Sequence, residues 1–412
     1  MSNLQTFTYE AGAIADAVSQ VIRPGAVAIQ GGEIISFGDQ SQVRREVGSH
    51  AAVRQLGNHL ILPQFVNAHS HLDLTSIGQM SYSGVFIQWL QSVMNARAQS
   101  DEALNTSVQK GVCASADAGV GWIGDIVNSP GAIAARSEEK LAGISFLECF
   151  GIGMGQEEGC LQLARQLQDL DASANQLGLQ PHAPYSAGHH VYQRAVDLAI
   201  QFGFRLSTHL AESKMEEQFL ADASGPIVDH LKAIGKWDTT IRASGLHPVD
   251  WIKPHLEKAE WLLAHCNYVD DDHIKLIADC GASVAYCPVA SDYFGHHHHR
   301  YRDMMAAGVN VCLGTDSILC QPRNESQPLS ILAQMRHLYR RDRTSPRALL
   351  ELATINGCRA LGLDPSLATL QPGVQARMCA VPIDPDDSND PLAQVLENDY
   401  PVRSIGFSET LL

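Results

Sequence analysis

Positive charge is scarce in this sequence: 29 Lys and Arg stand against 45 Asp and Glu in 412 residues, a net charge of −16. A sequence-independent grip on nucleic acid or on an anionic membrane needs clustered cations, so neither is an expected partner. Long apolar runs are missing too. No stretch approaches the roughly 20 residues of a membrane span, and Met1 to Glu10 shows neither the basic flank nor the apolar run of a signal peptide. Ten cysteines contain no Cys-x-x-Cys pair, which leaves no ready metal or redox spacing. Several lie in apolar runs such as Leu147-Glu148-Cys149-Phe150 and Val311-Cys312-Leu313, where cysteine behaves as a small hydrophobe. Buried, reduced thiols in a cytoplasmic protein are the expectation.

What is present is enough apolar residue, 45%, for one large core and an accessory unit. Near the N-terminus, Ala26-Val27-Ala28-Ile29-Gln30 and Glu33-Ile34-Ile35-Ser36-Phe37 flank Gly31-Gly32, the pattern of a β-hairpin. A turn at Leu370-Gln371-Pro372-Gly373 precedes a strand at Met378-Cys379-Ala380-Val381, and Ile383 to Pro391 reads as an exposed loop. Between these ends, eight short β-like runs alternate with helical segments. They finish at Asn67-Ala68-His69, Ile123-Gly124-Asp125, Phe146-Leu147-Glu148, Gln180-Pro181-His182, Ser207-Thr208-His209, Leu263-Ala264-His265, Ala285-Tyr286-Cys287 and Gly314-Thr315-Asp316. Eight parallel βαβ units close a (β/α)8 TIM barrel, an α/β fold. A doubly wound open sheet is the rival, but it announces a Gly-rich phosphate turn after its first strand, and Gln64 to His69 is not one.

Most of these runs end on a polar, titratable residue, and in a barrel all strand C-termini share one mouth. His69 and His71 project to the same face of one strand end, and two imidazoles there can grip one ion. His209 adds a third imidazole, with Glu212 three residues on, where strand gives way to helix and a proton carrier is well placed. Glu216 and Glu217 read as ordinary carboxylates at a helix start. Asp316 supplies an anionic oxygen opposite the histidines. Three His and one Asp, with a position left for water, is the donor set of a catalytic rather than a structural zinc site. His265 and His182 end strands at the same mouth, the first as a neighbour of the metal set and the second facing substrate. Trp89, on the helix-like segment after the first strand, is expected in the core, with a substrate lid as the alternative. His296 to His299 reads as a solvated loop.

The segments Leu62 to His71, Thr208-His209-Leu210-Ala211-Glu212, His265 and Gly314-Thr315-Asp316-Ser317 together resemble the amidohydrolase superfamily, in its branch of cytosine, guanine and adenosine-type deaminases and triazine chlorohydrolases. The resemblance covers nearly the whole chain, and Tyr293-Phe294-Gly295-His296 with Ser186 and Glu212-Ser213 looks like the aminofutalosine deaminase-like subgroup. It implies a barrel over residues 63–365 and a β-sandwich built from residues 1–62 and 366–412. It implies one divalent ion, zinc or else iron, on His69, His71, His209 and Asp316. Glu212 then shuttles the proton, His265 positions the attacking hydroxide and His182 faces substrate. Related two-metal enzymes use a carboxylated lysine near the end of the fourth strand; here that place reads Gln180-Pro181-His182, which favours one metal. Two departures from the family pattern, Gln64 after Pro63 and Arg377 after Ala376, lie outside the metal set.

The expected activity is hydrolysis of a carbon–nitrogen bond other than a peptide bond. It is foremost deamination of an aminated purine, pyrimidine or nucleoside-like heterocycle, with Glu212, His265 and Asp316 catalytic and His182 and Trp89 at the substrate. Chloride release or cyclic amide hydrolysis on the same scaffold, and a metal-bearing binding protein without catalysis, are the alternatives. A homodimer is common among such relatives.

Overall fold

In the computed structural model the described residues are 5–48, 50–98, 100–136, 141–168, 170, 176–323 and 326–406. Both chain ends build one six-stranded sheet, in the order β14-β13-β4-β1-β2-β3. Its strands are β1 (Thr6–Ile14), β2 (Gly25–Gln30), β3 (Glu33–Asp39), β4 (Ala52–Pro63), β13 (Arg377–Pro382) and β14 (Arg403–Gly406). The expected hairpin is β2–β3, antiparallel, with Gln30 opposite Glu33 and both intervening glycines at positive φ. Strand alternation gives this sheet two buried faces. Ile61, Met378 and Ala380 pack with Tyr9 and Leu370 in a separate apolar cluster, while Leu60, Leu62, Cys379 and Val381 join the main core. The Asp- and Pro-rich segment is exposed over 384–386 and 388–390, but Ile383 is buried, and so is Pro391 as the first residue of the helix Pro391–Glu397. Proline suits that position because its missing N–H has no helical partner there.

The eight expected barrel strands are all present: β5 (Phe65–Ser70), β6 (Val120–Val127), β7 (Ala142–Cys149), β8 (Leu177–Pro181), β9 (Arg205–Leu210), β10 (Trp261–His265), β11 (Ser283–Tyr286) and β12 (Asn310–Leu313). Neighbours pair in parallel from β5 to β12. Their near-continuous burial is that of strands covered on both faces. The circle closes with little ladder: a parallel bridge joins Ser70 to Asp316, the Asp316 amide donates to the His69 carbonyl at 3.0 Å, and the Asn67 side chain exchanges hydrogen bonds with Thr315 at 2.7 and 3.1 Å. Asp316 therefore stands three residues beyond the end of β12, held by the backbone of β5 and the Ser70 hydroxyl and not by its own strand. Among the described residues no helix is long and apolar enough to cross a membrane.

The two departures from the family pattern meet at the opposite end of the barrel. The Gln64 amide donates to the Arg377 carbonyl at 3.0 Å, and the Arg377 guanidinium lies over Trp122 at 5.5 Å and reaches the Gly121 carbonyl. They fasten the terminal sheet to the barrel floor.

Close strand packing leaves no room for a side chain at several barrel glycines, Gly143 among them. Gly143 on β7 has φ 129°, and a Cβ there would lie 2.0 Å from the Ile123 carbonyl oxygen. Gly143→Ala is expected to cost about 3 kcal/mol or more through backbone strain and overpacking, measured as a fall in the urea unfolding midpoint at unchanged slope.

Candidate active site

The strand ends do converge. His69 on β5 is fully buried, with its ring centroid 5.2 Å from that of His71, 5.0 Å from His209 and 5.4 Å from His265. Donor atoms of His69, His71 and Asp316 lie within 4.8 Å of one another, as do those of His69, His209 and His265. His71 Nε2 is 3.6 Å from Asp316 Oδ1. His69 can sit this close to the last strand because residue 314 is glycine: a Cβ there would be 2.9 Å from His69 Cβ and 2.8 Å from Cys287 Sγ.

Burial dominates the electrostatics. It pushes His69, His71 and His265 well below the usual imidazole range, His209 to about 4 and His182 to about 3, so all five rings are neutral. It also raises the carboxyls, Asp316 to about 6 and Glu212 well above its ordinary value, with Asp316 and Glu216 adding to the rise in Glu212. Both ring nitrogens of His69, and Nδ1 of His71, are buried without a hydrogen-bond partner. Orphaned buried nitrogens are costly, and neutral imidazoles are what a metal ion requires. The donor set fits a divalent cation. His209 Nδ1 donates to the His182 carbonyl at 3.0 Å, which leaves its Nε2 as the free donor atom, the usual way an outer contact fixes a ligand's tautomer.

Backbone strain gathers at this mouth. Of six non-glycine residues with positive φ among those described, Ala211 (47°), His265 (73°), Cys266 (52°) and Asp316 (57°) all lie at the ends of barrel strands. Such residues cost of order 1–3 kcal/mol each and persist only where their surroundings hold them. Ala211 is held by Glu216. That carboxylate is fully buried, and its two oxygens accept from the Ala211 and Glu212 amides at 3.1 and 2.9 Å. Burial raises Glu216 to about 8 against those hydrogen bonds. Asn267 completes the support, donating to the Glu212 carbonyl at 3.0 Å. Glu212 Oε1 is then 3.7 Å from His265 Nε2. The expectation of a plain helix-start carboxylate holds for Glu217, which pairs with Lys214 at the surface, and fails for Glu216, because the turn ahead of the helix folds its amides onto that side chain.

Above the cluster lies a cavity of about 280 Å3. His182 lines it, hydrogen-bonded through Nδ1 to Ser186 Oγ at 2.6 Å and 3.9 Å from Glu148 through Nε2. Trp89 also lines it, half-buried, edge-on to Phe294 at 4.9 Å and packed against the main core. Its helix, Phe86–Ala96, faces the helix Pro226–Ala233 across the cavity, joined by Gln91 Nε2 and His230 Nδ1 at 3.2 Å. Sequence reasoning passed over two strand-end acids. Glu148 on β7 is buried beside His182 and His209. Asp125 on β6, raised by burial to about 7, accepts from the Leu72 amide at 3.0 Å and ties down the segment after His71. Their positions at strand ends were the available signal. The histidine run is only partly a solvated loop: His297 and His298 are exposed, whereas His296 and His299 turn inward, His296 onto the Tyr268 hydroxyl and His299 onto the His265 carbonyl.

A parallel eight-stranded barrel with neutral imidazoles and acids gathered at its C-terminal mouth defines a metallohydrolase-type TIM barrel. The chain belongs to the amidohydrolase family, which it matches over residues 60–403, and it is a hydrolase of that metal-dependent family. It is 27% identical over 354 residues to aminodeoxyfutalosine deaminase of Deinococcus radiodurans, covering 82% of each chain. To 5-methylthioadenosine/S-adenosylhomocysteine deaminase of Pelotomaculum thermopropionicum it is 24% identical over 379 residues, 88% of this chain and 81% of that one. In fold it is similar to Helicobacter pylori aminofutalosine deaminase in complex with methylthio-coformycin, with TM-score 0.79, 20% identity and 95% of both chains. It is also similar to an adenosine deaminase from Xanthomonas campestris with bound zinc, with TM-score 0.73, 18% identity, and 96% of this chain and 90% of that one.

Glu216→Ala leaves two buried amides without acceptors and is expected to destabilise the protein by about 2 kcal/mol or more, while Glu217→Ala stays within about 0.5 kcal/mol. Urea unfolding of the two variants side by side checks this.

Proposed function

We propose that this protein is a zinc-dependent aminohydrolase that removes the amino group from a nucleoside-like heterocycle. The observation that carries the reading is a buried carboxyl, Glu212, held 3.7 Å from a neutral imidazole, His265, beside a cluster of unpartnered ring nitrogens at the floor of a largely apolar cavity. His69, His71, His209 and Asp316 would hold the ion, and the zinc-bound fold relative supports zinc as its identity. Bound there, a divalent ion supplies Lewis acidity that brings the pKa of a water molecule from about 15.7 toward about 7.

The protein's own groups then do the proton work. Glu212 takes a proton from water as its oxygen adds to the ring carbon bearing the amino group, and passes it to the adjacent ring nitrogen. A carboxyl raised by burial suits this because it readily holds a proton near neutral pH. Glu212 then carries the hydrogen left on the added oxygen to the amino group, which leaves as ammonia as its carbon–nitrogen bond breaks and the ring carbonyl forms. His265 and Asp316 orient the attacking oxygen. His182 contacts the heterocycle, and Trp89, with Phe86 and Phe294 around it, covers the cavity and excludes water. The names of the two curated relatives favour deamination over chloride release or ring opening. The ten free cysteines, seven of them buried, support a reducing, cytoplasmic setting. We divide the chain at residues 1–62 with 366–412 against 63–365; the packing changes side a few residues later, with Ala368 in the barrel cluster and Leu370 in that of the terminal sheet.

Purified protein is expected to release ammonia from at least one of aminodeoxyfutalosine, 5′-methylthioadenosine and adenosine, with kcat/KM above about 10^4 per molar per second for the best. Chloride release from chlorotriazines without ammonia from any of these would overturn the reading. Glu212→Gln is expected to lower kcat by about 10^2- to 10^4-fold with metal content unchanged by elemental analysis. His69→Ala is expected to lose the ion itself.

A further inference from the structure

We propose that His299 is a positioning residue: by donating from Nε2 to the His265 carbonyl oxygen, it fixes the strained backbone that aims the His265 imidazole at Glu212. The proposal rests on the reading above, in which His265 works in the reaction.

His265 is the last residue of β10 and leaves the strand abruptly. Its φ is 73°, that of Cys266 is 52°, and the Cys266 amide, which donates to the Leu210 carbonyl of β9 at 2.9 Å, also reaches back to the Ala264 carbonyl at 3.1 Å. A three-residue loop closed in this way around a positive φ is the rare, strained hand of the γ-turn. An L-residue adopts it only when neighbours impose it. The turn swings the His265 carbonyl out of the barrel ladder, and there it meets His299 Nε2 at 2.6 Å. A carbonyl only accepts, so the proton is on Nε2 and the ring tautomer is fixed.

His299 is itself clamped. Its ring stacks on Tyr286, the last residue of β11, with centroids 3.7 Å apart and planes 15° apart. The Tyr286 hydroxyl accepts from Arg341 at 2.9 Å, and Arg341 is anchored by Asp292 and Asp342. A rigid plane therefore presents one N–H to one carbonyl. His297 and His298, its neighbours in the same run, point to solvent. Burial lowers His299 to about 4, so it stays neutral and keeps this single donor across the ordinary pH range.

The test uses the full-length, metal-loaded protein with aminodeoxyfutalosine, 5′-methylthioadenosine and adenosine as substrates. His299→Phe keeps the stack on Tyr286 and removes the donor. Its kcat is expected to fall about 10- to 100-fold, the scale of a small misplacement of a working group, with KM within about twofold and metal content unchanged. His299→Gln, which returns an N–H, is expected to recover most of the loss. In a His265→Asn background, His299→Phe is expected to cost nothing further, because both changes remove one function. Wild-type kcat in His299→Phe while His265→Asn is impaired overturns the proposal and leaves the functional reading intact. So does an equal loss from His299→Phe in both backgrounds, which would mark plain structural damage. Wild-type kcat in His265→Asn overturns the role given to His265, and this proposal with it. Should the Phe variant fail to fold, His299→Asn, too short to reach the carbonyl, is read by the same criteria.

Discussion

The barrel closes where its chemistry sits, and that closure is the constraint on which the rest depends. Between β5 and β12 there is almost no ladder. One bridge, one amide donation to the His69 carbonyl, the Ser70 hydroxyl on the Asp316 carbonyl and the Asn67–Thr315 exchange do the joining. The same few bonds set His69 against Gly314 and bring Asp316 within 3.6 Å of His71. Closing the fold and assembling the centre are one event. Failure at the seam would open the barrel and separate the donors together.

Burial acts on this centre in two opposing directions. It drives the imidazoles neutral and pushes Asp316 and Glu212 toward their protonated forms. Neither trend favours a cluster of protein groups alone, since it leaves unpartnered nitrogens in a dry site. A divalent cation held by His69, His71, His209 and Asp316 would offset both penalties, because it would accept imidazole lone pairs and favour the charged carboxylate. The metal dependence of the family thus has a counterpart in the electrostatics of this chain.

The strands, their order and the convergence of His69, His71, His209 and Asp316 were legible in the sequence because each is written locally. Short apolar runs end in His, Asp or Glu, and a period of two puts His69 and His71 on one face. Glu216 and His299 were not legible, for a common reason. Their partners are backbone groups exposed by turns of unusual φ, at Ala211 and at His265, and nothing in residue type or spacing announces those turns. Glu216 looked like any acid in a first helical turn, and His299 like one more member of a polar run. Asp316 was half legible: its identity follows from Gly314-Thr315-Asp316, but its release from the strand and capture by the Ser70 and Asn67 segment do not. Gln64 and Arg377, read separately as departures, are neighbours in space, which sequence separation concealed.

The strained residues connect these points. Three of the strand ends at this mouth pass through a left-handed residue, and each such residue is held by a group from another segment: Ala211 by Glu216, His265 by His299, and Asp316 by the His69 carbonyl and the Ser70 hydroxyl of β5. Turning sharply at the strand end is what lets side chains from distant strands meet at a point rather than ring a wide opening. Regular strands would carry them outward along the barrel axis. The cost of several unfavourable backbone conformations is offset by hydrogen bonds that exist only in the correctly closed barrel. Under the proposed function, rigidity of the reacting groups comes from this outer layer of holders, and the substrate cavity is left free to vary in shape without disturbing them.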